Sequence, residues 1–298
     1  MIYVVIPVHN RRELTRACLR CLRSQTEPHR VIVVDDGSTD GTAAMMAQEF
    51  ADVRVLTGNG SLWWAGGTNL GIRYVLPELS PDDFVLTLND DTEVAPDYLA
   101  QLLRAYNATK PALIGSISVD IREPARLLYA GTRLKMATAS FTDQATARFH
   151  NHIDQLPVSQ PYLPTDCLPG RGMLIPAGVF RAIGLFDDAH FPHHMADLDF
   201  SIRARDAGFP LLVATNCVVL EHADATALQL NKFVSLRSFR NALFTTSSPI
   251  KLSTRYAFAR RHAPVMPVFL AIDCSRIIGG YIFRRLKTAL SGSTHQPH

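Results

Sequence analysis

Past residue 229 the chain is almost without acid. Residues 230–298 carry 11 Lys/Arg against one carboxylate, Asp273, whereas residues 1–229 hold 19 Lys/Arg and 26 Asp/Glu. The formal net charge of +3 therefore averages an acidic body and a basic tail, and such a tail is built to meet something anionic. Cysteine is scarce and odd in number, at 18, 21, 167, 217 and 274. That excludes a disulfide framework and fits a reduced, cytoplasmic setting. Cys18 and Cys21 form a C-x-x-C without a second ligand pair, inside an apolar-periodic helical stretch, so they read as core. Tryptophan occurs twice, at adjacent positions 63 and 64. No uncharged apolar run reaches about 18 residues, which argues against a spanning helix. Residues 1–7 lack the basic n-region of a signal peptide and read as a buried strand. Neither a G-x-S-x-G nor a recognised nucleic-acid module is present, so no serine nucleophile and no nucleic-acid partner is expected.

What is present is an alternating chain. With 298 residues, 47% of them hydrophobic, it can bury one large α/β core and carry an accessory segment. Short apolar runs at Tyr3–Ile6, Val31–Val34, Val53–Leu56, Phe84–Leu88 and Leu113–Ile117 read as strands, separated by helical patterns. Asn10 is placed to cap the first helix, with Glu13 three residues on. Pro96 opens a later helix. The pattern predicts an α/β fold with a mostly parallel central sheet and helices on both faces. Leu127–Ala130 and Thr132–Met136 read as a hairpin, Asp197–Ala207 as a helix, and Leu211–Ala214 and Cys217–Glu221 as two strands. From Leu228 the chain reads helical, broken at Pro249, Pro264 and Pro267. The organisation expected is a catalytic domain over 1–227, with halves at about 1–120 and 121–227, and a basic helical segment over 228–298.

In open sheets of this kind ligands bind at the carboxyl ends of strands, so the residues following each strand carry the chemistry. Asp35 and Asp36 end one strand before a Gly/Ser turn; a carboxylate there can accept from a nucleobase N–H or ribose hydroxyls, and Asp40 reads as a helix cap. Asn89, Asp90 and Asp91 end another. Carboxylates crowded this way are costly without a cation, and oxygen ligands suit Mg²⁺ or Mn²⁺, which neutralise a diphosphate. The glycine-rich stretch Gly58–Gly71 opens a helix where backbone can approach phosphate closely. Gly66 and Asn69 are its candidate nucleotide contacts. Trp63 and Trp64 are candidate sugar contacts, with one of them expected in the core. Asp197 begins a helix and is free to project into a cleft, while Asp199 and Arg203 are spaced to pair along it. His222 ends the last strand beside this acidic site and is a candidate metal or phosphate group.

These segments in this order, with Val5-Ile6-Pro7-Val8-His9-Asn10 before them, resemble family 2 glycosyltransferases. Leu62-Trp63-Trp64-Ala65-Gly66 and Ala196-Asp197-Leu198-Asp199-Phe200 are similar to rhamnosyltransferase-type members. The resemblance covers about residues 2–225. It implies a GT-A fold and an inverting transfer from a nucleoside-diphosphate donor, dTDP- or UDP-linked with dTDP-rhamnose as one candidate, to a glycan or lipid-linked acceptor. Pro7, Val8, His9, Asp35 and Asp36 would line the nucleoside pocket. Asn89-Asp90-Asp91 takes the place of the family's D-x-D, with Asn for its first acid, so that metal binding falls on Asp91 with His222. Asp197 matches the general base, with Ala196 where the family usually has Glu and Asp199 as the alternative register. Arg171, Gly172 and Met173 would line the acceptor side.

Two other readings stand beside this one. A sugar-nucleotide pyrophosphorylase needs a glycine-rich basic loop after the first strand, where this chain has His9-Asn10-Arg11-Arg12-Glu13. A non-catalytic sugar-nucleotide scaffold would not need both Asp91 and Asp197. The basic tail, with apolar runs at Pro264–Ile272 and Ile277–Phe283, is expected to lie on an anionic membrane surface at the inner face of the cell membrane. Its rival role is packing or homo-oligomer contact.

Overall fold

The computed structural model describes residues 1–223 and 235–292, and the side chains of the latter range to 288. The chain divides into two units. The first comprises Met1–Arg133, Thr142–Pro192 and Ala196–Thr226, and the second Leu134–Phe141, His193–Met195 and Ala227–His298. Elements run β1 (Ile2–Val8), α1 (Arg12–Arg23), β2 (His29–Asp35), α2 (Thr42–Glu49), β3 (Arg54–Thr57), α3 (Trp63–Val75), β4 (Phe84–Thr87), β5 (Thr92–Val94), α4 (Tyr98–Thr109) and β6 (Leu113–Asp120). There follow β7 (Leu127–Tyr129), β8 (Thr132–Lys135), β9 (Ser140–Asp143), α5 (Gln144–Ala147), β10 (Tyr162–Pro164), β11 (Met173–Pro176), α6 (Ala177–Ile183), α7 (Ala196–Asp206) and β12 (Leu211–Glu221). The second unit carries α8 (Leu236–Ala242), α9 (Leu252–His262) and α10 (Met266–Gly292). The helix onset expected at Leu228 lies outside the described residues.

One sheet, ordered β10-β12-β6-β11-β4-β1-β2-β3, organises the first unit. β1 pairs in parallel with β2 and β4, β2 with β3, and β6 with β12, while β11 runs antiparallel between β4 and β6. β1 shows why this sequence forms a central strand. Its residues are apolar without alternation because both faces are covered. Ile2, Val4, Ile6 and Val8 cluster with Cys18, Leu19 and Leu22 of α1. On the other face α3 presses in through Gly67 and Gly71: a Cβ at Gly71 would meet Val5 at 2.5 Å, and one at Gly67 would meet Pro7 at 3.0 Å. Those two glycines, one helical turn apart, bring α3 onto the sheet.

Several local expectations are corrected. Asn10 does not cap α1. It adopts φ 54° and its side-chain oxygen accepts from the Thr39 N–H. The first free amide of α1, on Arg12, donates instead to Asp40, which also accepts from the Thr42 N–H and hydroxyl before α2. One aspartate thus serves two helix starts. The expected hairpin does not form: β7 pairs with β6, and β8 with β9. The two last strands are one, β12, irregular between Ala214 and Val218. Pro267 does not break the final helix, because it falls in the first turn of α10, where a missing N–H costs nothing. The segment Met266–Thr288 is long and apolar enough by length and composition to cross a membrane, which the charge-free-run criterion had not indicated. The cysteines are free, with Cys18 buried in the core.

Candidate active site

The parallel strands β1, β2 and β4 deliver their carboxyl ends to one edge of the sheet, and the antiparallel β11 begins there. Met173 pairs with Thr87, so Gly170-Arg171-Gly172 lies beside Asn89-Asp90-Asp91. The acids at that edge do different work. Asp35 is buried and accepts from the Ser38 N–H at 2.9 Å. Asp36 is a fastener: Oδ1 accepts from the Gly60 N–H, and Oδ2 from the N–H groups of Leu62 and Trp63 at the start of α3. Gly58 lies so near that a Cβ there would meet Asp36 Oδ1 at 2.5 Å. Each of the two adjacent acids therefore serves its own loop. His9 donates from Nδ1 to the Asp36 carbonyl at 2.6 Å and accepts at Nε2 from the Asn10 amide, a tautomer set by these two partners. Pro7 and Val8 precede it at the end of β1, Val8 buried.

At the end of β4, Asp90 and Asp91 are both buried, at 5% and 2% exposure. Burial pushes the Asp90 carboxyl up to about 7, against the pull of Arg11. Arg11, which precedes α1, spans both acids with one guanidinium nitrogen, 3.3 Å from Asp90 and 2.7 Å from Asp91. The sequence reading passed over it; the signal was a cation at one strand tip facing acids at the next. His222 holds the Asp91 carbonyl through its backbone N–H, but its ring bonds Glu93 at 3.1 Å. The imidazole expected beside Asp91 on a metal is thus engaged with a different carboxylate. Among the described residues no three His, Cys, Asp or Glu side chains gather as a ready-made cage. The oxygen donors of Asp90 and Asp91 nevertheless suit a hard divalent ion, which commonly takes one or two carboxylates and completes its shell from substrate phosphates and water.

A chain of contacts leads from these acids to Asp197. Trp64 donates from its indole nitrogen to Asn89 Oδ1 at 3.0 Å and packs edge-on against Phe186. Its ring lies so close over Gly170 that a Cβ there would overlap the indole. The Gly170 N–H donates to Asp197 Oδ2 at 3.0 Å, while Asp197 Oδ1 accepts from the Leu198 N–H. Asp197 is half-buried at the start of α7. Asp199 is fully buried and pairs with Arg203 at 2.9 Å, whose other nitrogens donate to the carbonyls of Ile183 and Leu185. Trp63, 40% exposed with φ 56°, stands at the open side of the helix start.

Other candidates turn inward. Asn69 is fully buried, and its amide brackets one residue: Nδ2 donates to the Phe186 carbonyl and Oδ1 accepts from the Phe186 N–H. Both ends being spent on backbone, it is not a nucleotide contact. Gly66 is buried within α3 against Leu62. Gly172, at φ +75°, is wedged where a Cβ would meet the Tyr98 hydroxyl at 2.7 Å and Ser116 at 2.9 Å, and Met173 is fully buried in β11. Neither presents a side chain to an acceptor cleft. Arg171 alone of that trio carries charge at the edge. It pairs with Glu221 at the end of β12 and lies over the Tyr129 ring at 5.6 Å.

Comparison with known proteins adds the following. The Glycosyl transferase family 2 profile matches residues 3–155. The chain is 26% identical over 211 residues to the N-acetylglucosaminyl-diphospho-decaprenol L-rhamnosyltransferase of Mycobacterium tuberculosis, covering 65% of this chain and 67% of that one. It is 28% identical over 181 residues to the low-salt glycan biosynthesis hexosyltransferase Agl10 of Haloferax volcanii, covering 58% of this chain and 52% of that one. Among solved structures, GalNAc-T7 with UDP, GalNAc and Mn²⁺ superposes with a TM-score of 0.59 at 14% identity, over 94% of this chain and 58% of that chain. The mannosyltransferase PcManGT of Pyrobaculum calidifontis, in complex with GDP-Man and Mn²⁺, gives 0.53 at 15% identity, over 98% and 79%. The chain thus spans little more than half the length of GalNAc-T7 and of Agl10.

Proposed function

The chain belongs to glycosyl transferase family 2, and from that premise we propose that it transfers a sugar, with inversion, from a nucleoside-diphosphate donor to a hydroxyl of a glycan or lipid-linked acceptor. Its fold is GT-A. The observation that carries the proposal is the contact chain Asn89–Trp64–Gly170–Asp197, which couples the acidic tip of β4 to an accessible carboxylate on α7.

Asp197 is the general base. It is half-exposed, whereas Asp199 is sealed in the core and neutralised by Arg203. As the acceptor oxygen attacks the anomeric carbon, Asp197 takes its proton, and single displacement needs no covalent nucleophile. Backbone donors on both Asp197 oxygens orient the carboxylate. Asp91, with Asp90 beside it, would hold Mg²⁺ or Mn²⁺, whose charge offsets that developing on the diphosphate leaving group. His222 supports Asp91 through the backbone. The nucleoside lies by Pro7, His9 and Asp35, with the Asp36-fastened loop as its wall. Trp63 and Arg171 face the sugar and acceptor.

The Mycobacterium tuberculosis relative is an L-rhamnosyltransferase of N-acetylglucosaminyl-diphospho-decaprenol, which favours an activated rhamnose as donor and a polyprenyl-diphosphate-linked acceptor. A panel of labelled nucleotide sugars, offered with and without Mn²⁺ and after EDTA, tests the whole reading. Transfer that needs the metal and is lost in Asp197→Asn supports it. Hydrolysis or binding without transfer to any acceptor returns the chain to the scaffold reading.

A further inference from the structure

Within the second unit, α10 has two unlike faces. Phe269, Asp273, Ile277 and Tyr281, four residues apart, turn inward. Tyr281 stacks on Phe239 of α8 with ring centroids 4.2 Å apart, Phe269 faces Phe258 of α9, and Asp273 pairs with Arg255 of α9 at 3.2 Å. Opposite them, Val268, Ala271, Ser275, Ile278, Ile282 and Leu286 recur at spacings of three and four and form a stripe. Among the described residues nothing covers this stripe: Ile278 is 50% exposed, Leu286 59%, and neighbouring Phe283 68%.

At about 100° per residue, Arg285, which reaches back to the Tyr281 hydroxyl at 3.2 Å, falls along one border of the stripe, and Arg276, which donates to the Ala139 carbonyl, and Lys287 fall along the other. The only acid of the segment, Asp273, lies on the inward face with Arg255. An apolar stripe edged by cations and free of carboxylates matches the boundary between acyl chains and anionic headgroups. A water-facing helix would place its charges where these apolar side chains stand.

We propose that α10 docks lengthwise on an anionic bilayer, with the Val268–Leu286 stripe in the acyl boundary and Arg285 and Lys287 among the headgroups. Although Met266–Thr288 is long enough to cross a membrane, the inward face is committed to α8 and α9. Crossing would strip Tyr281 from Phe239 and Asp273 from Arg255, which places the helix in the plane of the surface. The docking goes beyond the catalytic reading and stands whether or not the donor and acceptor assignments hold.

The test is flotation of the full chain with vesicles of phosphatidylcholine alone or of equimolar phosphatidylcholine and phosphatidylglycerol. Binding is expected to the anionic vesicles only, weakening as salt screens the headgroups. Arg285→Gln with Lys287→Gln should lower partitioning about 25-fold, each basic residue counting for roughly a factor of five. Ile278→Ser with Ile282→Ser and Phe283→Ser, all exposed positions, should abolish flotation while circular dichroism stays that of the wild type. Equal recovery with both vesicle types, or a folded stripe variant that floats like the wild type, overturns the proposal. So does retention on vesicles through a high-salt wash, which would mean a spanning helix. A wild-type dimer that ignores vesicles and is dissociated by the stripe variant would also overturn it, making the stripe a seam between two copies.

Discussion

The Arg11 guanidinium lies 2.7 Å from the Asp91 carboxylate. The same nitrogen reaches Asp90, whose proton affinity burial has raised. One side chain from the tip of β1 thus supplies the positive charge that two buried acids at the tip of β4 require. A divalent ion taken up by Asp91 competes with that guanidinium for the carboxylate.

Arg11→Gln therefore has two opposed effects. Without metal the variant should melt a few degrees below the wild type, because two buried carboxylates lose a counter-charge. Added Mn²⁺ should restore more of its thermal stability than it adds to the wild type, since the ion no longer displaces a cation. Melting curves with Mn²⁺ and with EDTA check this; identical metal-dependent shifts in both proteins would refute it.

Asp197→Asn should lower turnover by about 10²–10⁴ while leaving donor affinity near that of the wild type; because its amide nitrogen cannot accept from one of the two backbone N–H groups that the carboxylate holds, it should also cost on the order of 1 kcal/mol of stability, less than the next variant. Asp199→Asn should act on the fold instead. It leaves Arg203 without its buried partner, a loss on the order of 3–5 kcal/mol for a broken buried pair. Chemical denaturation and turnover measured on both variants separate base from scaffold, and the reverse assignment predicts the opposite pattern.

Gly170→Ala pushes a methyl group into the Trp64 indole and should disturb both the Asn89 and the Asp197 ends of the contact chain. Trp64→Ala removes the obstacle. In a double-mutant cycle the two substitutions should be strongly non-additive in kcat/KM, with a coupling of about 0.5–3 kcal/mol. Simple additivity would mean that Trp64 does not transmit between the two carboxylate sites.

Asn69→Ala should destabilise the chain by on the order of 1–3 kcal/mol, because the Phe186 N–H loses its partner in the core while its carbonyl keeps only the Asp188 N–H. Nucleotide affinity of the folded fraction should be unchanged. Isothermal titration with UDP and dTDP decides this, and a selective loss of affinity at unchanged stability would restore Asn69 to the binding site.

Much of the fold is legible in the residues because its signals are local. β1, β2 and β4 announce themselves as short apolar runs bounded by turn residues, and the chemistry follows at their carboxyl ends. Asp35, Asp36 and Asp91 stand at such positions, and Asp40 and Asp197 are legible as helix starts. The failures share a cause. Asn69 and Gly66 lie in a glycine-rich helix start that fits a phosphate cradle, yet Gly67 and Gly71 exist to admit Val5 and Pro7, and Asn69 to clasp Phe186 from 117 residues away. Gly172 reads in the sequence as a cleft residue, whereas in the fold it makes room for Tyr98 and Ser116.

What the sequence by itself determined is therefore the order of strands and helices, the sign of the charge along the chain, and which strand tips carry acids. Hydrophobic periodicity, capping residues and charge act between near neighbours, so they can be read without coordinates. Only the tertiary structure decided which of those acids stay available. Asp36 is consumed by the amides of Gly60, Leu62 and Trp63, and the ring of His222 turns to Glu93, whereas the pairing of Asp199 with Arg203 was already implied by their spacing along one helix. Arg11, by contrast, is brought onto Asp90 and Asp91 across some 80 residues of sequence. Those partners are set by which strands lie side by side in the sheet, and burial then forces each polar group to find one within reach.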